Sequence, residues 1–317
     1  MKILIAGGAG FIGSHLCEKL LKDDHQIVCV DNLLTGSEKN IADLKTNSNF
    51  SFISHNIIKP LNFDQKIDAV FHLASPASPN HHSKLSYHAL PIETMLANTS
   101  GTLELLKFAK KNQAKFLFAS TSEVYGDPEK HPQSEDYRGN TSTTGPRSVY
   151  DESKRFGETL TAYFWRKEGV DGRVARIFNT YGPRMLKDDM RMLVNFIHQA
   201  VTGKPITIYG NGKQTRSLCY IDDMVKGLTR LMFYPKTKAK IVNLGSTQEH
   251  TVLEYAQLVK KITSSTSKIV FTEGLSPDDP KRRQPDISKA KKILNWRPKI
   301  SLEEGIKKMV IYFKNNF

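Results

Sequence analysis

Apolar residues in this chain fall in short unbroken runs, and segments with helical spacing lie between them. Lys2-Ile3-Leu4-Ile5-Ala6 is one such run. It shows no polar–apolar alternation, as a strand covered on both faces requires. Leu16, Leu20 and Leu21 then recur at helical spacing over residues 14–22, and Gln26-Ile27-Val28-Cys29-Val30 reads as the next strand. Further runs predict strands at 50–53, 69–73, 115–119, 172–177 and 241–244, with helices over 99–111 and 153–167 between them. Alternation of this kind predicts an α/β fold with a doubly wound parallel sheet.

Beyond Asn179 the pattern changes. Gly182-Pro183, Gly203-Lys204-Pro205, Gly210-Asn211-Gly212 and Ser276-Pro277-Asp278-Asp279-Pro280 mark loops. The reading is therefore a sheet domain of residues 1–178 plus about 217–243, the latter segment returning to the sheet. A smaller C-terminal substrate-binding lobe takes about 179–216 and 244–317. No repeat or low-complexity tract interrupts it.

The chain's 317 residues suffice for one large domain or two interlocked ones. Cys17, Cys29 and Cys219 are odd in number and far apart, so neither a disulfide framework nor a metal spacing follows. Small core residues in a reducing, cytoplasmic setting are expected. Met1 leads directly into the first strand, so no leader, membrane span or membrane partner is expected. The formal net charge of +14 attracts anions. Its lysines are scattered and form no basic–aromatic module, which argues against nucleic acid as partner.

Three glycines, Gly7, Gly10 and Gly13, sit where the first strand becomes a helix. That spacing allows a tight turn, close approach of a pyrophosphate to the backbone, and close helix–strand packing. Asp31 ends the second strand, where a carboxylate accepts hydrogen bonds from ribose hydroxyls and repels a 2′-phosphate; NAD is favoured over NADP. Tyr150 and Lys154 are one helical turn apart on a common face. An ammonium there is expected to lower the phenol pKa towards that of a general base. Ser120-Thr121-Ser122-Glu123 follows a buried strand and so emerges at the carboxyl edge of the sheet. Thr121 is placed to bond a substrate hydroxyl and Glu123 to act in proton transfer. Arg184, Arg191, Arg216, Arg282 and Arg283 lie near turns of the second lobe and suit a diphosphate or a carboxylate. His81, His82 and His88 lack matching carboxylate or cysteine spacing and read as a polar loop, with no metal expected. Asp222-Asp223 reads as the start of a helix.

Together these residues resemble the extended short-chain dehydrogenase/reductase superfamily of NAD-dependent sugar-nucleotide epimerases and dehydratases, over nearly the whole chain. Within it the chain is most similar to the UDP-glucuronate decarboxylase (UDP-xylose synthase) family. The stretches that carry the resemblance are residues 72–79, 120–128, 176–184, 209–216 and 278–287. The resemblance implies a Rossmann-type sheet, a homodimer built on helices near 94–111 and 151–167, and oxidation, decarboxylation and re-reduction of UDP-glucuronate on one bound NAD. Tyr150, with Lys154 and Thr121, would take the 4-hydroxyl proton; Glu123 and Arg283 would manage the carboxylate and reprotonate the ring. The implied cofactor set is Gly7, Gly10, Phe11, Ile12, Gly13, Asp31, Asn32, Thr35, Gly36, Asn56, Ile57, Leu73, Ala74 and Asn98, with Tyr150 and Lys154. The implied substrate set is Asn179, Arg191, Tyr209, Gln214, Arg216 and Arg283.

Ser122 stands where related 4,6-dehydratases carry an aspartate, and 4-epimerases usually lack a glutamate at the position of Glu123. Release of a 4-keto pentose with NADH shares all of these residues and stays open. A dinucleotide-binding sensor is the non-enzymatic alternative, against which the intact Thr121, Tyr150 and Lys154 argue. Three features depart from the family pattern. Asn56 replaces a usual aspartate, its amide still able to hydrogen-bond. Met190 and Val194 replace a usual glycine and serine. An insertion between Pro79 and Asn98 borders the expected sugar pocket.

Overall fold

The computed structural model describes residues 1–272 and 282–316. The central strands are β1 (Lys2–Ala6), β2 (Gln26–Asp31), β3 (Phe50–Ser54), β4 (Ala69–His72), β5 (Lys115–Thr121) and β6 (Asp171–Ile177). Short strands β7 (Thr180–Tyr181), β8 (Ile206–Tyr209), β9 (Thr215–Arg216) and β10 (Cys219–Tyr220) come before β11 (Ile241–Leu244). Two more, β12 (His250–Thr251) and β13 (Ile269–Thr272), follow it. The helices are α1 (Phe11–Lys22), α2 (Pro91–Asn98), α3 (Ser100–Asn112), α4 (Ser148–Lys167), α5 (Met192–Val201), α6 (Ile221–Phe233), α7 (Val252–Thr263), α8 (Ser288–Leu294) and α9 (Leu302–Asn316).

Seven strands form one sheet in the order β11-β6-β5-β4-β1-β2-β3, and every pairing in it is parallel. This is the doubly wound α/β sheet that the strand–helix alternation predicts. Its strand order reverses beside β1, so loops diverge there at the carboxyl edge and leave a crevice. Both faces are covered. Ile3 and Ile5 of β1 share a core with Leu16 and Leu20 of α1 and with Met224 and Leu228 of α6. Leu4 and Ala6 point the other way, into a core with Leu105 and Leu106 of α3 and Phe164 of α4. Covering on both sides is why the β1 run has no polar positions.

Two boundaries matter for the site. β5 runs on to Thr121, whose side chain accepts the backbone N–H of Glu123 at 3.2 Å and starts a 3-10 turn over Ser122–Tyr125. α4 begins at Ser148, five residues earlier than its apolar spacing indicates, because its first turn buries the polar residues Tyr150 and Asp151. Asp223 in the first turn of α6 accepts the backbone N–H groups of Lys299 and Ile300 at 2.7 and 2.8 Å, which ties the C-terminal segment to that helix. The three cysteines are free and buried. Among the described residues no helix is long and apolar enough to cross a membrane, and no cluster of potential metal ligands occurs. The loop at 276–280 and residues 278–281 of the family-like stretch 278–287 lie outside the described residues.

Candidate active site

A cleft of about 460 Å³ opens at the carboxyl edge where the strand order reverses. Its floor is the glycine turn between β1 and α1. Gly7 has φ +80°, and a Cβ there would lie 2.6 Å from the Ala74 backbone nitrogen. A Cβ on Gly13 would lie 2.0 Å from the Gly7 carbonyl oxygen, so only hydrogen at this position lets α1 start against the turn. At the end of β2, Asp31 accepts the backbone N–H groups of Ala9 at 3.0 Å and Leu33 at 2.8 Å. Burial raises its pKa, and those two donors work against the rise. Each oxygen keeps a lone pair for a further donor. A phosphate-sized cradle with a positioned carboxylate beside it fits a dinucleotide.

Phe11, Ile12, Asn32, Thr35, Gly36, Asn56, Ile57, Leu73 and Ala74 line this cleft, as do Gly7, Gly10, Gly13, Asp31, Tyr150 and Lys154. Asn98 does not. It is fully buried behind the wall, where its amide donates to the Ser75 and Ser153 hydroxyls, both at 3.1 Å. It ties the wall segment at Ser75 to α4 at Ser153.

A second cavity of about 600 Å³ adjoins the first and is lined by Asn179, Arg191, Tyr209, Gln214, Arg216 and Arg283. Glu123, Asn179 and Arg191 line both, so the two meet at Glu123. The insertion roofs the second cavity. Ser78 and Ser83 donate to the Asp189 and Asp188 carbonyls at 2.9 and 2.5 Å, and Asn80 donates to the Met190 carbonyl at 2.7 Å. His81, His82 and His88 line this cavity too, and His82 lies nearly parallel to the Tyr209 ring at 6.2 Å. His81 and His82 are exposed, as a polar surface loop requires, and that loop borders the cavity.

At the junction the side chains are close. Tyr150 hydrogen-bonds the Thr121 side chain, and burial, then the charge of Glu123, pushes its phenol up. Lys154 donates to the Ala119 carbonyl at 2.8 Å, with its nitrogen 5.7 Å from the Tyr150 ring centre. Burial pulls the Lys154 ammonium down to about 7. The expected lowering of the phenol by Lys154 is therefore not what this geometry gives, since burial and the Glu123 charge dominate at the phenol.

Glu123 is held from several sides. It accepts Arg147 Nη2 at 2.6 Å and the Tyr87 hydroxyl at 3.3 Å, with Arg283 Nη1 3.5 Å away. Burial opposes its charge, but Arg147 and Arg283 outweigh that and lower its pKa. Tyr87 stacks on Tyr150, ring centres 4.8 Å apart and planes at 9°. Asp151 hydrogen-bonds Glu123 from behind. Tyr87, Arg147 and Asp151 escaped the sequence reading. Arg147, Tyr150, Asp151 and Lys154 fall at i, i+3, i+4 and i+7, a shared helical face that the spacing already contained.

The arrangement brings a buried phenol and hydroxyl in the first cavity up to two guanidinium groups in the second across Glu123, which suits proton transfer at a hydroxyl beside an anionic group. A family model described as GDP-mannose 4,6 dehydratase matches residues 4–309. The chain belongs to that family. Within it, the chain is 49% identical over 312 residues to UDP-glucuronic acid decarboxylase 1 of Danio rerio, covering 98% of this chain and 72% of that one. It is 47% identical over 307 residues to UDP-glucuronic acid decarboxylase 3 of Arabidopsis thaliana, covering 96% and 87%. Among solved structures, a UDP-glucuronic acid 4-epimerase from Bacillus cereus in complex with UDP-glucuronic acid and NAD superposes with a TM-score of 0.87. It is 32% identical, with 100% of both chains covered. These family members are extended short-chain dehydrogenase/reductase proteins, as the motifs implied.

Proposed function

We propose that this chain is an NAD-dependent UDP-glucuronate decarboxylase that forms UDP-xylose through a 4-keto sugar. The observation that carries the reading is Glu123 at the junction of the two cavities, flanked by Arg147 and Arg283 and next to Tyr150. Near-full-length identity to UDP-glucuronic acid decarboxylases supports it.

The glycine turn and Asp31 would hold NAD, which when bound supplies the acceptor and donor for hydride and a cationic ring. Tyr150 takes the proton of the sugar 4-hydroxyl at its phenol oxygen, oriented by Thr121. Lys154 contributes positive charge beneath the phenol. Arg283 Nε is buried without a hydrogen-bond partner among the described residues, and a substrate carboxylate would complete its bonding. Once the 4-position is a ketone, it is β to that carboxylate, and loss of carbon dioxide leaves an enolate that nearby donors stabilise. Tyr150 then returns its proton to the same oxygen. Tyr209, Gln214, Arg216 and Arg191 would hold the nucleotide and diphosphate.

A homodimer is part of the reading. Phe156 and Tyr163 of α4 are 50% and 46% exposed, seven residues apart on one helical face, and offer an apolar self-association surface. Free buried cysteines suit the cytoplasm.

Proton NMR of the anomeric signals with UDP-glucuronate and NAD tests the function. UDP-xylose without net NADH is expected. A 4-keto pentose with stoichiometric NADH would select the releasing reaction, and UDP-galacturonate would replace this reading with an epimerase.

A further inference from the structure

Given the decarboxylation proposed above, one proton is unaccounted for. The proton that Tyr150 takes from the 4-hydroxyl returns to that oxygen when the ketone is reduced. Loss of carbon dioxide breaks the bond between ring carbon 5 and the carboxyl carbon and leaves the electron pair on the ring as an enolate. A new carbon–hydrogen bond must form there, so each turnover consumes a second proton.

Glu123 lines both cavities but is ionised, paired with Arg147 at 2.6 Å and near Arg283 at 3.5 Å. An ionised carboxylate has no proton to give. Asp151 stands behind it, 6% exposed and hydrogen-bonded to the Glu123 side chain. Its Oδ1 is buried without a hydrogen-bond partner among the described residues, an arrangement a neutral carboxyl tolerates far better than a charged one. The charged and titratable groups facing this pair are Arg147, Tyr150, Tyr87 and His88 on one side and Arg283 on the other. When the substrate carboxylate enters, a third acidic group joins Glu123 and Asp151 beside Arg147 and Arg283, while Arg191 is already paired with Asp189 at 3.0 Å. One of the three then holds a proton.

We propose that Asp151 stores the proton destined for ring carbon 5 and delivers it through Glu123. The Asp151 O–H bond breaks, Glu123 takes that proton and gives it to the enolate carbon, and Asp151 is left as a carboxylate that water reprotonates. Burial, then the charge of Glu123, lifts the Asp151 carboxyl to about 8, so the store is filled at neutral pH. Asp151 touches no substrate and is a positioning residue that acts through Glu123.

Asp151→Asn keeps shape and a donor towards Glu123 but cannot titrate. The expected result is that formation of NADH from UDP-glucuronate and NAD stays within about threefold of wild type. Uptake of solvent deuterium at ring carbon 5 should slow about 10²-fold, and the fall in turnover above about pH 8 should disappear; Asp151→Glu should restore both. Wild-type deuterium uptake and pH profile in Asp151→Asn would overturn the proposal. Infrared titration of the wild-type protein without substrate covers the case in which the variant does not fold, and is independent of which sugar nucleotide is turned over. A protonated carboxyl band that vanishes near pH 8, and at a pH lower by about one unit or more in Glu123→Gln, supports the store. Absence of that band at neutral pH overturns it. Failure of wild type to release carbon dioxide would sink the functional reading, while the infrared result would still decide whether the pair shares a proton.

Discussion

Tyr150 and Glu123 are close in space but are held in opposite charge states: Arg147 and Arg283 outweigh burial and keep Glu123 ionised. Burial, then the Glu123 charge, keeps the phenol protonated, so the proposed proton transfer would need positive charge close to its oxygen. Tyr150→Phe removes the phenol oxygen that hydrogen-bonds Thr121. It should cut NADH formation about 10³-fold, with binding of the sugar nucleotide within about threefold; rapid-mixing absorbance measures the first and calorimetry the second. Normal NADH formation would remove Tyr150 from the chemistry. Arg283 poses a different question, because a guanidinium can hold either a carboxylate or a diphosphate. Arg283→Ala should weaken UDP-glucuronate about 10²-fold while UDP-glucose weakens less than about fivefold, a charged hydrogen bond contributing about 1.5–3 kcal/mol. Equal losses would assign Arg283 to the diphosphate.

Elements explain what could be read from the chain and what could not. The strands are legible because parallel strands covered on both faces must be apolar throughout, and β11 falls at residues 241–244 as its apolar run indicates. Polar first turns leave no such trace. The start of α4 was missed by five residues because its inward positions are Tyr150 and Asp151, not aliphatic. Tyr87 was hidden for another reason: it sits in an insertion with no periodicity, and only the fold brings it over Tyr150. Side-chain bonds from Asn80 and Ser83 in the same insertion, and from Ser78 just before it, to the turn at 188–190 hold His82 near Tyr209. Breaking two of them in Asn80→Ala/Ser83→Ala should raise KM for the nucleotide sugar about tenfold, from roughly 0.5–1.5 kcal/mol per bond. The turnover number should stay within about twofold. A fall in turnover at unchanged KM would mean that the roof orders the junction and not the nucleotide.

For the whole molecule, association and pH response are the properties that sum over many residues. Placing charge on the exposed face of α4, as in Phe156→Asp/Tyr163→Asp, should convert a dimer to a monomer in sedimentation with the fold intact by circular dichroism. A dimer that survives would move the interface elsewhere. The pH response follows from groups held neutral. Burial depresses His72 to about 3 and His15 to about 4. Each contributes stability that is present above the unfolded value of about 6.5 and lost as pH falls towards its folded value. Asp151 has the opposite sign: raised to about 8, its contribution is complete below about pH 4 and lost as pH rises towards 8. Between about pH 6.5 and 4.5 two histidines lose more than one aspartate regains, so the melting temperature should drop by several degrees. His15 is half-buried, and its Nε2 lies 3.0 Å from the Pro183 carbonyl, a bond that glutamine can replace without titrating. In His15→Gln the acid-side drop should shrink by about a third to a half. An unchanged drop would place acid sensitivity on the paired carboxylates instead, and it would then move with salt concentration as surface ion pairs do.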